Sequence, residues 1–314
     1  MNNRKTLITG ITGFVGSNLA PYLHQKGIGE IIGLVREESV VSEGVKDSTA
    51  SLITDNQFTN NQYTNYIHLA GKAHDLKGVS DEKAYFDVNY GMTKRLFDRF
   101  LEDTDAERFI FMSSVKAVSD SPEGVLDEEA EPNPVTAYGR SKLKAEEYML
   151  ENSSPGKQVF VLRPCMIHGP GNKGNLNLLY SLVSKGIPWP LGRYENSRSF
   201  LSVENLCFVI HQIIKGNISP GVYQVADSDS LSTNQLIQLI ADSSGRKARI
   251  INTPKAIIKL MAKAGNILPL PLDEERLQKL TEDYVVSNRK LVEVLGEELP
   301  VSAEDGLRRT FESF

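Results

Sequence analysis

Short apolar runs alternate with helical stripes through the first half of the chain. Thr6-Leu7-Ile8, Glu30-Ile31-Ile32-Gly33-Leu34-Val35, Ser51-Leu52-Ile53-Thr54, Asn65-Tyr66-Ile67-His68-Leu69-Ala70-Gly71, Arg108-Phe109-Ile110-Phe111-Met112 and Gln158-Val159-Phe160-Val161-Leu162 read as strands. Between them, Phe14, Val15, Leu19, Tyr22 and Leu23 fall at helical spacing, as do Ala84, Tyr85, Val88, Met92, Leu96, Phe97 and Phe100 over about 81–101. A further helix is predicted from Ala137 to about Glu151. This alternation predicts an α/β fold, a doubly wound parallel sheet covered on both faces. Residues 37–50 are polar and weakly patterned, a loop or a short helix, and a long loop carries Pro122, Pro132 and Pro134. The character changes after Arg163-Pro164. A loop-rich stretch leads to a helix over about 175–185, a Pro-flanked Trp189, a helix from Val203 to Ile214, a strand from Gly221 to Ala226 and a mostly helical remainder. The expected division is a sheet domain of residues 1–165 plus parts of 198–226, with a smaller, mostly helical C-terminal lobe from 166–197 and 227–314.

The first strand ends in Thr9-Gly10-Ile11-Thr12-Gly13-Phe14-Val15-Gly16. Gly10 can take the backbone angles of a tight turn. Gly13 has no side chain to hold a pyrophosphate away, and Gly16 lets helix and strand approach. Free N–H groups at the helix start would then face phosphate. The bland reading is a simple βα turn; its place between strand and helix favours a dinucleotide site. Ligands of open parallel sheets bind at the carboxyl ends of the strands, where Arg36, Asp55, Gly71, Ser114 and Pro164 all fall. An acidic residue after the second strand would suit the ribose hydroxyls of NAD. Arg36 there suits a 2′-phosphate and favours NADP(H) over NAD(H), although Glu37 and Glu38 would oppose it if turned inward.

Composition narrows the partners. The chain has 314 residues and a net charge of −5, which gives no general attraction to nucleic acid or an anionic membrane. The two cysteines, Cys165 and Cys207, form no disulfide framework and fit a reduced, cytoplasmic setting. No signal peptide, bilayer-spanning run or metal-ligand spacing is evident, so neither membrane insertion nor a metal is expected. His68 reads as a core histidine, His74 as a surface residue and Trp189 as packed beneath its proline turn. Asp127, Glu128, Glu129 and Glu131 read as a solvated loop. Lys255, Lys259 and Lys263, four apart, read as the solvated face of a helix covering the C-terminal lobe, in preference to a membrane-surface helix.

Tyr138-Gly139-Arg140-Ser141-Lys142 places a phenol and an ammonium one helical turn apart. A Tyr-x-x-x-Lys spacing is common on exposed helices. Here it follows the glycine turn and a strand ending in Ser113-Ser114. A nearby ammonium is expected to lower the phenol's pKa and fit Tyr138 for proton transfer to or from an alcohol oxygen.

Taken together, these motifs resemble the extended short-chain dehydrogenase/reductases, the NAD(P)-dependent epimerase/dehydratase family that acts on nucleotide sugars. His68-Leu69-Ala70-Gly71, Asn89, Phe111-Met112-Ser113-Ser114, Leu162-Arg163-Pro164, His168-Gly169-Pro170-Gly171 and Arg198-Ser199-Phe200-Leu201-Ser202-Val203 extend the resemblance through about residue 226. The resemblance implies a Rossmann-type fold and a set of roles. Gly10, Gly13, Phe14, Val15 and Gly16 would cradle the pyrophosphate, and Asp55 would meet the adenine. Leu69, Ala70, Gly71 and Asn89 would line the cofactor groove. Tyr138 would be the acid/base, and Lys142 would hold the nicotinamide ribose. Ser114 would bond the reacting oxygen, with Ser113 as the fallback. Arg198 would meet the substrate diphosphate, and Asn175 would contact the nucleotide sugar. A homodimer through the helices near 81–101 and 137–151 is also implied.

Departures from the family pattern narrow the activity. The 4,6-dehydratases carry an Asp-Glu pair where Val115-Lys116 stands, which discounts water elimination. Cys165 and His168 do not fall where the GDP-fucose synthases place theirs. The tract around Ser113–Lys116, Ala137-Tyr138-Gly139, Gly192 and Arg198-Ser199-Phe200 is most similar to the branch that reduces UDP-4-keto-6-deoxy-N-acetylhexosamines, beside the 4-epimerases. The expected activity is therefore a 4-ketoreductase on a UDP-sugar, with 4-epimerase as the sister reading. A non-catalytic NADP sensor on the same fold would be free to lose Ser114, Tyr138 and Lys142.

Overall fold

The computed structural model describes residues 4–35, 51–53, 62–73, 81–172, 174–266 and 272–314. In chain order, β1 (Lys5–Thr9), α1 (Phe14–Gln25), β2 (Glu30–Leu34), β3 (Ser51–Ile53) and β4 (Asn65–His68) lead to α2 (Glu82–Tyr85). A π-helical turn, Phe86–Met92, continues α2 directly into α3 (Thr93–Glu102). Next come β5 (Arg108–Met112), β6 (Val125–Leu126), α4 (Ala137–Glu151), β7 (Gln158–Pro164) and β8 (Met166–His168). The rest runs α5 (Asn175–Ser184), β9 (Arg198–Ser202), α6 (Val203–Lys215), β10 (Gly221–Val225), β11 (Ser230–Leu231), α7 (Thr233–Ser243), α8 (Lys255–Gly265), α9 (Glu274–Thr281), β12 (Val285–Val286), α10 (Arg289–Leu295) and α11 (Ala303–Glu312).

The main sheet has the order β10-β7-β5-β4-β1-β2-β3, parallel throughout. Both faces are covered, so neighbouring strand residues serve different layers. Ile8, Ile67, Ile110 and Phe160 pack on the side of α1 and α6, whereas Leu7, Tyr66, Phe109 and Val161 pack against Phe97, Phe100 and Met149 of α3 and α4. This two-sided burial explains why the strands read as continuous apolar runs. The order reverses between β1 and β4, the position where ligands of such sheets sit.

A second core forms around Trp189, Phe200, Ile240, Ile258, Leu307 and Phe311, beside a small sheet of order β11-β9-β8. One long-range strand pairing leaves no mark in the hydrophobic pattern. β12 pairs in parallel with β6, which lies in the proline-containing loop after β5. The acidic cluster in that loop is also not wholly solvated: Glu128 accepts the Gln224 N–H at 2.7 Å and so caps the edge strand β10. The helix expected over 81–101 is present, but with the π turn inserted. Among the described residues no helix is long and apolar enough to cross a membrane.

Candidate functional site

The turn from β1 into α1 is shaped by clearance. Gly10 has φ +70°, and a Cβ there would lie 2.7 Å from the Ala70 nitrogen on the neighbouring β4 segment. A Cβ on Gly16 would lie 2.4 Å from the Gly10 carbonyl oxygen. Gly13 is the N-cap of α1; no side chain caps the helix, and its first turn holds no acid. The first N–H groups of α1 therefore remain available to an anion, and the dipole favours one there. Half-buried Phe14 and Val15 form that first turn. This cradle fits the pyrophosphate of a dinucleotide. Arg36 and Asp55, and His74 with them, lie outside the described residues.

The end of β4 is fixed by a buried polar chain. Thr93 Oγ1 donates to the Asn89 carbonyl at 2.6 Å, so it must accept at 2.9 Å from His68 Nε2–H. His68 Nδ1 then accepts from Thr9 Oγ1 at 2.6 Å. Thr9 Oγ1 in turn accepts the Ala70 N–H at 3.2 Å. Burial pushes the His68 pKa down to about 3, which keeps the imidazole neutral as this chain requires. His68 is thus a core histidine that aims Leu69, Ala70 and Gly71 into the cleft. Asn89, at the middle of the π turn, accepts from Lys72 N at 2.8 Å and donates to Lys72 O at 3.0 Å and Ser141 Oγ at 3.0 Å. The π turn, a frequent mark of a functional site, here ties the β4 end to α4.

The start of α4 carries the phenol and the ammonium. Thr136 caps it by accepting the Gly139 N–H at 3.1 Å. A Cβ on Gly139 would meet the Lys116 carbonyl oxygen at 2.3 Å, so the helix abuts the turn that follows Ser114. The Ser114 hydroxyl lies near enough to the Tyr138 phenol to favour its ionised form. The Ser113 hydroxyl instead donates to Glu146 Oε1 and is committed there. Lys142 Nζ donates to the Met112 carbonyl at 2.8 Å, lies 4.7 Å from the Phe111 ring centre, and would sit only 3.0 Å from a Cβ on Gly71. Ser114, Tyr138, Lys142, Gly71 and Asn89 thus share one edge of the cleft.

One expectation is corrected. Lys142 does not lower the Tyr138 pKa in this structure; burial raises it, opposed by the nearby Ser114 hydroxyl. Burial pulls the Lys142 pKa down to about 8, so its charge is lost before the phenol titrates, and its Nζ is held by Met112 O. That shift has a stability consequence. The unfolded chain holds this proton up to the ordinary 10.5, the folded chain only to about 8. Unfolding takes up a proton between these values, so stability rises with pH across that window, and the burial cost is fully present below it. Native protein is expected to gain on the order of 3 kcal/mol relative to Lys142→Met between about pH 7 and pH 10, measured by denaturant unfolding. A constant difference between the two proteins would refute it.

Sequence reasoning missed the charges beneath the serines. Arg163 on β7 pairs with Glu146 on α4 through contacts of 2.6, 3.0 and 3.2 Å, and both are almost fully buried. The available signal was Glu146 four residues after Lys142, on the same helix face, together with the Leu162-Arg163-Pro164 strand end.

Arg198 lies away from the serines, at the start of β9. Its guanidinium donates to the Lys279 carbonyl, its backbone bridges to Tyr284, and it is half-buried. Tyr284 donates to the Ser119 carbonyl at 2.6 Å and lies 5.1 Å under Lys116 Nζ, so it stands between Arg198 and the Ser114 turn. Nothing in the sequence marked Tyr284. Asn175 is the first residue of α5. His168 and Cys165 are buried in the frame, His168 Nδ1 bonding Thr310 Oγ1 at 2.9 Å. Trp189 is buried in the second core.

Known proteins resemble this chain. The model of the NAD dependent epimerase/dehydratase family matches residues 6–226, which span both the glycine turn and the Tyr138–Lys142 helix. A UDP-glucose 4-epimerase of Vibrio cholerae is 30% identical over 99% of this chain and 95% of its own. A GDP-6-deoxy-D-mannose reductase of Pseudomonas aeruginosa is 25% identical over 80% of this chain and 84% of its own. The crystal structure of a UDP-glucuronic acid 4-epimerase from Bacillus cereus in complex with NAD superposes with a TM-score of 0.75 at 19% identity, covering 98% of each chain. A glycine cradle at the sheet's switch point, Ser114 with the Tyr138–Lys142 helix beside it and a family match across both leave one assignment: the chain belongs to the NAD dependent epimerase/dehydratase family, the extended short-chain dehydrogenase/reductase enzymes of nucleotide-sugar chemistry.

Proposed function

We propose that the protein reduces the C4 ketone of a nucleotide-activated sugar, a UDP-4-keto-6-deoxyhexosamine, with NADPH. The observation that carries the reading is the nearness of the Ser114 hydroxyl to the Tyr138 phenol, with Lys142 one turn further along α4. Ser114 would polarise the carbonyl oxygen. Tyr138, kept protonated by burial, would give that oxygen its proton. Lys142, held by Met112 O, has two N–H groups left for the ribose hydroxyls of the nicotinamide. The bound nicotinamide supplies hydride to C4; the carbonyl becomes a secondary alcohol. The loop side of the C-terminal lobe, with Arg198 and Asn175, would receive the nucleotide diphosphate. This uses the division into a sheet domain (1–165 with parts of 198–226) and a substrate lobe (166–197 and 227–314). The intact hydroxyl-phenol-ammonium set speaks against a sensor without catalysis.

A second reading, 4-epimerisation of a UDP-sugar, is favoured by the Vibrio cholerae relative and uses the same residues. Purified protein separates them. Stoichiometric NADPH oxidation with a 4-keto sugar supports the reductase; turnover of a UDP-sugar without added cofactor replaces it with the epimerase. The choice of NADPH rests on Arg36. Arg36→Ala is expected to raise KM for NADPH about tenfold, the scale of one lost charged contact, while KM for NADH stays within about twofold. Native protein that uses NADH as well as NADPH would end the NADP assignment. Cytoplasmic residence and a homodimer through α2, α3 and α4 accompany the proposal.

A further inference from the structure

The chain is acidic overall, with a net charge of −5, yet residues 245–266 contain Arg246, Lys247, Arg249, Lys255, Lys259 and Lys263 and no Asp or Glu. All six side chains are exposed, and none forms an ion pair among the described residues. Lys255 only approaches the Tyr194 ring, at 5.0 Å. The acids on the helix packed against this segment are otherwise engaged: Asp273 with Arg276, Glu274 with Asn266, and Glu275 with Lys279.

Within this segment α8 faces the opposite way from an ordinary surface helix. Only Ile258 and Ala262 are buried against the lobe. Lys255, Lys259 and Lys263 run as a ridge beside that buried edge, at four-residue spacing. The outward face is apolar: Leu260 is 70% exposed, Ile257 49% and Met261 47%. Ile251, on the strand-like segment leading into the helix, is 50% exposed. The sequence expectation of a solvated lysine face therefore holds for the ridge and fails for the face.

We propose that this surface docks on an anionic lipid bilayer, with the apolar face of α8 at the acyl boundary and the six bases against headgroup phosphates. Apolar side chains flanked by unpaired bases are what an interfacial helix needs. Charge complementarity selects this occupant over a second copy of the chain, because a two-fold contact would set the basic ridges against each other, and interface cores are depleted in lysine. The surface is built from the C-terminal lobe and does not include the Ser114–Tyr138 edge of the cleft.

The test is co-sedimentation of the full chain with vesicles of phosphatidylcholine alone or of phosphatidylcholine with phosphatidylglycerol. Native protein is expected to bind the anionic vesicles far better than the neutral ones, and to be released by salt. The triple variant Lys255→Gln, Lys259→Gln, Lys263→Gln is expected to lose on the order of 100-fold in partition, at about fivefold per lysine. Leu260→Gln with Met261→Gln is expected to lose about tenfold or more on the same vesicles. Both variants change exposed side chains, and an unchanged thermal midpoint checks that they are folded. Equal binding to both lipids, no binding to anionic vesicles, or variants that bind like native protein would overturn the proposal. So would light scattering that finds a native oligomer which Leu260→Gln dissociates.

Discussion

Tyr138→Phe is expected to lower kcat about 10³-fold, within the range contributed by a positioned general acid, and to leave the fold intact. The substitution removes one oxygen from a half-buried ring. The ring's edge contact with Tyr85, with centroids 6.4 Å apart, does not depend on the hydroxyl. The Thr136 cap and the close approach of Gly139 to the Lys116 carbonyl hold the start of α4 independently of Tyr138. KM for the nicotinamide cofactor should therefore change little, because the glycine cradle and Lys142 remain in place. Because burial raises the phenol's pKa, the native enzyme keeps its acid through the neutral range, and kcat at saturating cofactor falls only in the alkaline range, as Tyr138 deprotonates. The residual rate of the Phe variant should lack that alkaline fall. Steady-state kinetics across pH on a confirmed substrate check both points. Full activity in Tyr138→Phe would remove the mechanism proposed here.

The parts of this architecture that were legible in the sequence share a physical reason. A parallel sheet buried on both faces demands continuous apolar strands, and Arg108–Met112 and Gln158–Leu162 supply them. The helix expected over 137–151 begins there because Thr136 provides an N-cap. The glycine turn was readable because its glycines answer to steric clearances that few other residues meet. The rest depends on contacts between distant segments or on burial. The π turn around Asn89 adds a residue to a helix whose apolar stripe still reads as regular. Pairing of β12 with β6, and Tyr284 beside Lys116, join positions more than 150 residues apart. The direction of the Tyr138 shift turned on how deeply the phenol is buried, which the Tyr-x-x-x-Lys spacing does not encode. The exposed face of α8 follows from its seating on Ile258 and Ala262, which leaves Leu260 outside.

Glu146 and Arg163 illustrate the largest gap, since charged residues in a sequence read as surface by default. Their pair is buried behind Ser113 and Ser114, and its value is asymmetric. Desolvating two charges costs about as much as their attraction returns, so the intact pair adds little net stability. Removing one partner strands the other. Glu146→Ala is expected to destabilise the fold by about 3–5 kcal/mol, because the Arg163 guanidinium would remain buried without its carboxylate. At about 2 °C per kcal/mol for a chain of this size, the thermal midpoint should fall by roughly 6–10 °C. It would also free the Ser113 hydroxyl and remove the one carboxylate that holds the Lys142 pKa up, so the pH at which Lys142 loses its proton should move lower. A double variant, Glu146→Leu with Arg163→Met, separates the two effects. If the pair is structural ballast, replacing both charges by side chains of similar volume should recover most of the lost midpoint. If Glu146 also maintains Lys142 as an ammonium beneath the ribose site, the double variant should regain stability and still bind the cofactor weakly above about pH 7. A double variant as unstable as Glu146→Ala would show that the loss came from packing or Ser113, not from an unpaired guanidinium.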